Sequence, residues 1–120
     1  MRDKRPARRG DIWWCDWNPG QGVEQAGRRP AVVVQADFIT EEGFGSVIIL
    51  ALFPGSQGDD ALHVGVEPSK LNGLTKGGAV KCEQIMTVSL NRLETYSGIL
   101  EPRYMAKIDQ ALKMILGLRS

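Results

Sequence analysis

Between Gly22 and Pro30 the chain reads Gly-Val-Glu-Gln-Ala-Gly-Arg-Arg-Pro, placing a carboxylate (Glu24), an amide (Gln25) and two guanidiniums (Arg28, Arg29) within six residues. A guanidinium offers a rigid fork of donors suited to a phosphate and stays charged at any working pH. A nearby carboxylate can take a proton from a ribose hydroxyl or simply pair with an arginine; residue types alone leave both roles open for Glu24. Other chemistries are excluded by what is missing. His63 is the single histidine, so a two-histidine acid–base pair is ruled out, and no Cys-x-x-Cys or His-x-x-x-His spacing exists to hold a metal. Cys15 and Cys82, 67 positions apart in strand-like contexts, read as buried, reduced thiols. Neither metal nor cofactor is expected.

Strands must position this loop. Asp11-Ile12-Trp13-Trp14-Cys15-Asp16-Trp17 crowds aromatic and aliphatic residues at strand-like spacing, and Asn18-Pro19-Gly20-Gln21-Gly22 supplies turn chemistry. Pro30–Gln35 is the second expected strand, with proline tolerated at its first position. A polar stretch over 36–45 leads to Ser46–Phe53, an apolar run so continuous that it implies burial on both faces. Pro54–Asp60 is nearly all turn formers. Leu62, Val64 and Val66 then alternate with His63, Gly65 and Glu67, which places His63 outward, in solvent. Residues 68–78 read as loop with a helical turn, Ala79–Ile85 as a strand continued by Met86-Thr87-Val88, Ser89–Arg92 as a short helical turn, and Tyr96–Leu100 as the last strand. The period then changes: Tyr104, Met105, Ile108, Ala111, Leu112, Ile115 and Leu116 form one helix face, with Pro102 in the first turn and Gly117 as the stop. The pattern predicts a mainly β or α+β domain, a small barrel capped by a C-terminal helix.

Charge and length set bounds on partners. The 120 residues, a single-domain length, carry 15 Lys+Arg and 14 Asp+Glu, so a binder that coats nucleic acid with its whole surface is disfavoured. The average hides a basic leader: residues 1–9 hold five basic residues and one acidic, and residues 1–8 are expected to be flexible beside one domain spanning 1–120. Lying beside a binding groove, that leader would add salt-dependent phosphate affinity. No apolar run approaches the ~18 residues of a membrane helix and no secretion pattern opens the chain, so a cytoplasmic location is expected.

Arg9-Gly10-Asp11-Ile12-Trp13-Trp14, Asp16, Pro19, Gly22 and Glu24-Gln25-Ala26-Gly27-Arg28-Arg29-Pro30-Ala31-Val32-Val33-Val34 together resemble the N-terminal signature of the MazF/PemK toxins, the toxin halves of type II toxin–antitoxin modules. Cys82-Glu83-Gln84-Ile85, Thr87-Val88, Arg92-Leu93, Gly98-Ile99-Leu100 and the terminal helix follow in the family's order, so the resemblance spans Arg9 to Leu118. It implies a homodimer of SH3-like barrels of the CcdB/PemK type, held in check by a cognate MazE-like antitoxin. The implied activity is metal-independent cleavage of single-stranded mRNA, in which the 2′-OH attacks the adjacent phosphate to leave 2′,3′-cyclic phosphate and 5′-OH ends. Carried over residue by residue, the catalytic arginine is Arg29, before the strand-opening proline, and Glu24 is the base or the group orienting the 2′-OH. Gln25, Arg28, Trp14, Gln57, Lys81 and Gln84 are the expected substrate contacts; of Trp13, Trp14 and Trp17, two are expected to be structural. One departure stands out. The family commonly ends its third strand with a threonine that holds the phosphate, and here Phe53 and Pro54 occupy that place, leaving Ser56 as the substitute hydroxyl. The competing expectation is a non-catalytic barrel of the same fold that binds RNA or poisons a protein such as a topoisomerase.

Overall fold

A computed structural model describes residues 5–16 and 27–119. The apolar runs become six antiparallel strands: β1 (Asp11–Asp16), β2 (Arg28–Val33), β3 (Ser46–Pro54), β4 (His63–Val66), β5 (Gly78–Ser89) and β6 (Leu93–Ile99). They form one sheet in the order β4-β5-β3-β2-β1-β6. β4 and β6 are its edges, so the expected barrel is an open sheet among the described residues. The C-terminal helix runs over Pro102–Leu116, with proline in its first turn and Gly117 closing it in the left-handed conformation at φ 70°. A short helix, Asp37–Glu41, interrupts the polar stretch after β2. We call these α2 and α1 respectively. A 3₁₀ turn at Leu90–Arg92, capped by the Ser89 hydroxyl, matches the turn expected there.

Strand alternation builds a core on each face of the sheet. Ile12, Val32, Leu50, Leu52, Val64, Val80 and Cys82 meet Tyr104, Met105, Ile108 and Ala111 of α2. Their sequence neighbours Trp13, Ala31, Val33, Ile49 and Ala51, with Cys15 and Leu93, form the second core. Since both faces of β3 are covered, Val47 and Ile49 to Leu52 are all buried, as its continuous apolar run requires. Two strand starts differ from expectation by two residues or more. β2 begins two residues early, at Arg28, which puts Pro30 inside the strand; its ladder with β3 starts only at Ala31, so the missing N–H falls at the ladder's end. β6 begins at Leu93, directly after the 3₁₀ turn.

Residues 5–9 of the basic leader are folded down, although residues 1–8 were expected to be flexible; residues 1–4 lie outside the described residues. Ala7 is buried in the second core and the Arg5 guanidinium lies 4.0 Å from the Tyr96 ring centre. The Arg8 N–H donates to Asp11 at 2.8 Å. Arg9 is tied by its backbone N–H to Asp37 of α1, and by its side chain to the Val34 carbonyl and to Asp109 of α2. Two of the charges proposed for phosphate therefore hold the chain to its own helices and rings.

The connection from β4 to β5 is fastened by Asn72, a fully buried polar residue. Its Oδ1 accepts from Ser69 N–H and Leu74 N–H, both at 3.0 Å, and its Nδ2 donates to the Glu67 carbonyl and to Glu101 at the start of α2. This loop delivers the chain to Gly78, which pairs with Pro54 at the end of β3.

Candidate functional site

Gly27, at φ 101°, turns the chain into β2 through a conformation that residues with a Cβ rarely adopt. Arg28 and Arg29 follow in extended strand, so their side chains leave opposite faces. The two arginines expected to act together are thereby separated. Arg28 goes toward β6, where its Nε pairs with Glu94 at 2.7 Å, its guanidinium donates to Thr95, and it lies 5.9 Å from the Trp14 ring centre. Arg29 goes to the other face. It is half-buried, with its Nε beneath the surface, and its guanidinium carbon sits 5.2 Å from the centre of the Phe53 ring.

Phe53 brings in a second cation. β3 lies between β2 and β5, and Phe53 pairs with Ala79 of β5. Lys81, two residues further along β5, places its Nζ 4.5 Å from the same ring centre. β5 is irregular here. Leu52 pairs with Val80 but Leu50 with Ile85, so five residue steps on β5 face two on β3. Lys81 opens that bulge while keeping its place on the Ala79 face, and Cys82, Glu83 and Gln84 fill it. Gln84 is exposed within it.

Beyond β3 the chain turns through Gly55, against which Lys76 packs. Ser56 closes this turn: its hydroxyl donates to the Phe53 carbonyl at 2.8 Å, beside the Ser56 N–H at 3.2 Å. The hydroxyl expected to replace the threonine thus directs its proton into the turn, and neighbouring Gln57 is exposed. His63, expected to be solvated, is instead clasped. Its Nδ1 lies 3.2 Å from Asp60 and its Nε2 3.1 Å from Glu83, and it pairs in register with Lys81. The bond to Glu83 and the charge of Asp60 raise its pKa above the ordinary histidine value.

Trp13 is fully buried, edge-on to Tyr96 and bonded to Asp11, so it is structural; Trp14 is half-buried beside Arg28. Cys15 and Cys82 are buried thiols, and burial pushes their pKa values up to about 12 and about 11. Glu24, Gln25 and Trp17 lie outside the described residues. Among the described residues no three His, Cys, Asp or Glu side chains are grouped to hold a metal ion, and no helix is long and apolar enough to cross a membrane. The arrangement therefore offers two cations beside an aromatic ring at the junction of three strands, with a lysine-lined turn at its edge. Reading residue types alone missed Phe53 as the centre of this cluster, because Arg29 and Lys81 reach its ring only once β2, β3 and β5 lie side by side.

Comparison with known proteins agrees with this architecture. The profile of the family described as PemK-like, MazF-like toxin of type II toxin–antitoxin system matches residues 8–116. Endoribonuclease MazF of Staphylococcus saprophyticus is 35% identical over 115 residues, covering 94% of this chain and 93% of that protein. An endoribonuclease from a mycobacterial species, solved in complex with its cognate antitoxin, superposes with a TM-score of 0.75 at 26% identity, covering 95% of this chain and 98% of that one. MazF from Deinococcus radiodurans shares the fold with a TM-score of 0.78 at 19% identity, over 95% and 99% of the two chains.

Proposed function

The chain belongs to the PemK-like, MazF-like toxins of type II toxin–antitoxin systems, and on that premise we propose that it is an endoribonuclease that cuts single-stranded RNA at the Arg29–Phe53–Lys81 cluster. The observation that carries the reading is the pair of cations at one ring, a half-buried guanidinium and an ammonium delivered by separate strands. In the proposed reaction the ribose 2′-oxygen bonds to the adjacent phosphorus while the bond from phosphorus to the 5′-oxygen breaks. The 2′-OH proton passes to a base, for which Glu24 is the candidate, and the departing 5′-oxygen takes a proton from solvent. Negative charge builds on the phosphoryl oxygens between these events. A preorganised guanidinium stabilises such charge, and removing one donor of this kind costs roughly 10²–10³ in rate. Arg29 is held for that task; Arg28, paired with Glu94, is suited to the edge of a bound strand.

The chemistry as written needs no metal, and the products would carry 2′,3′-cyclic phosphate and 5′-OH ends. Gln25, Trp14, Gln57, Lys81 and Gln84 complete the proposed substrate contacts. Ser56 would contribute only by releasing the Phe53 carbonyl. A homodimer, a cognate antitoxin and action in the cytoplasm complete the proposal; the mycobacterial relative, solved with its antitoxin, supports the antitoxin.

The test is incubation of the purified protein with a long RNA in EDTA, followed by end mapping. Cyclic-phosphate ends at a recurring short sequence, lost in Arg29→Ala, are expected. Intact RNA in the presence of the unaltered protein would refute the nuclease reading, and cutting only after addition of a divalent metal would refute its metal independence.

A further inference from the structure

We propose that Phe53 is a positioning residue, its ring held between Arg29 and Lys81 so that the two cations form one grip for consecutive phosphates of a single strand. The inference rests on the nuclease reading for the identity of its ligand, and on geometry for everything else.

Three strands meet at this point in the order β5-β3-β2, and each contributes one member: Lys81, Phe53 and Arg29. The ring is on the middle strand, and the cations come to it from the strands on either side. An aromatic face is negative, and a cation within about 6 Å of its centre is attracted, more strongly as water is excluded. Both contacts fall within that distance, and all three side chains are half-buried. Without the ring, two like charges on strands flanking β3 would repel each other with nothing negative between them on β3. With it, they are kept apart and in line across the strands. Such a line fits a polyanion running across the sheet better than a single small anion.

The surroundings favour this role over simple packing. The lower part of Phe53 packs against the second core, which anchors the ring. Its backbone carbonyl is held by both the hydroxyl and the N–H of Ser56, which fixes the strand end. Lys81 reaches the ring because it lies two residues beyond Ala79, the register partner of Phe53, and so on the same face of the sheet; His63 is its own partner on β4, and Glu83 is engaged by that histidine. Glu83 is thereby occupied on the histidine side of the bulge, and Lys81 meets the ring.

The test uses the full chain and an uncleavable mixed-sequence 2′-O-methyl RNA, with cleavage of ordinary RNA measured in parallel. Phe53→Leu keeps an apolar side chain over the core and removes the ring; Phe53→Tyr keeps the ring. Phe53→Met, which is flexible enough to fill the gap, replaces the leucine variant if that one does not fold. Affinity of the ring-less variant for the uncleavable RNA is expected to fall roughly 3- to 30-fold, the worth of a cation–π contact, while Phe53→Tyr stays near the unaltered protein. Losses for Phe53→Leu and Lys81→Met are expected to combine to less than their product, because they act through one grip. Unchanged affinity in Phe53→Leu, equal loss in Phe53→Tyr, or fully multiplicative losses would each overturn the proposal. If the unaltered protein binds the uncleavable RNA in this ring-dependent way but cuts no RNA, the grip stands and the nuclease reading falls. If it cuts RNA and Phe53→Leu binds normally, the reverse holds.

Discussion

Replacing Asn72 with alanine is predicted to destabilise the protein by about 3–5 kcal/mol. Asn72 is fully buried, and its side chain makes four hydrogen bonds. Three join neutral groups, each worth about 1 kcal/mol, and the fourth reaches the Glu101 carboxylate, where about 1.5–3 kcal/mol is typical. Part of that sum is recovered where water reaches the half-buried Ser69 N–H; the Leu74 N–H is buried and stays unsatisfied. Such a loss is a large share of the 5–15 kcal/mol typical of a domain. Urea unfolding followed by tryptophan fluorescence measures it, and a loss below about 1 kcal/mol would refute the account. The pH dependence adds a second check. Burial pushes the Glu101 pKa up, but the bonds from Ser69 and Asn72 outweigh it and hold the group below its ordinary value. A depressed carboxylate contributes stability that is present above its unfolded pKa and lost as pH falls through the folded one. That acid-side loss is expected to shrink in Asn72→Ala. Asn72→Asp places a second carboxylate against Glu101 and is expected to be more damaging at neutral pH than in acid; the opposite order would count equally against the reasoning.

Three further predictions concern the site and its frame. His63 is expected to titrate above the ordinary histidine value by NMR, and its clasp contributes stability present below about pH 6.5 and lost as pH rises through its raised pKa; an unchanged midpoint in Glu83→Gln would show that the Glu83 bond is not the cause. Cys15 and Cys82 are expected to resist a thiol reagent at pH 8 until the protein unfolds, because burial keeps both protonated, and rapid labelling of the native protein would contradict this. Gly98→Ala would place a methyl group 2.3 Å from the Leu71 carbonyl oxygen and 2.6 Å from the Asn72 carbonyl carbon; its soluble yield or thermal midpoint should collapse, and a native-like midpoint would mean that the crossing of these loops is looser than described.

Much of the architecture was legible because it follows from periodicity. The alternation through Ile12 to Cys15, the continuous run at Val47–Phe53 and the three–four spacing from Tyr104 to Ile115 each have one packing solution, and the structure adopts it. The short helix α1 was not legible: Asp37–Glu41 buries no residue, so no apolar stripe announces it. Residues 5–8 were read as flexible because charge suggested solvent, whereas Ala7 packs in the second core and the guanidiniums of Arg5 and Arg9 make internal contacts. His63 was misread for a related reason: its partners, Asp60 and Glu83, are three and twenty positions away, and only strand pairing unites them.

By itself the sequence determined which groups are present to bind phosphate and put Phe53 and Lys81 on strands, while it left Arg28 and Arg29 in the loop before β2, since residue type and local period depend only on neighbours in the chain. The arrangement of those groups was decided only in three dimensions. Adjacent in sequence, Arg28 and Arg29 part to opposite faces of β2; distant in sequence, Arg29, Phe53 and Lys81 meet. The reason is physical: a strand sends neighbouring side chains apart, while sheet pairing brings remote ones on one face within contact of one ring.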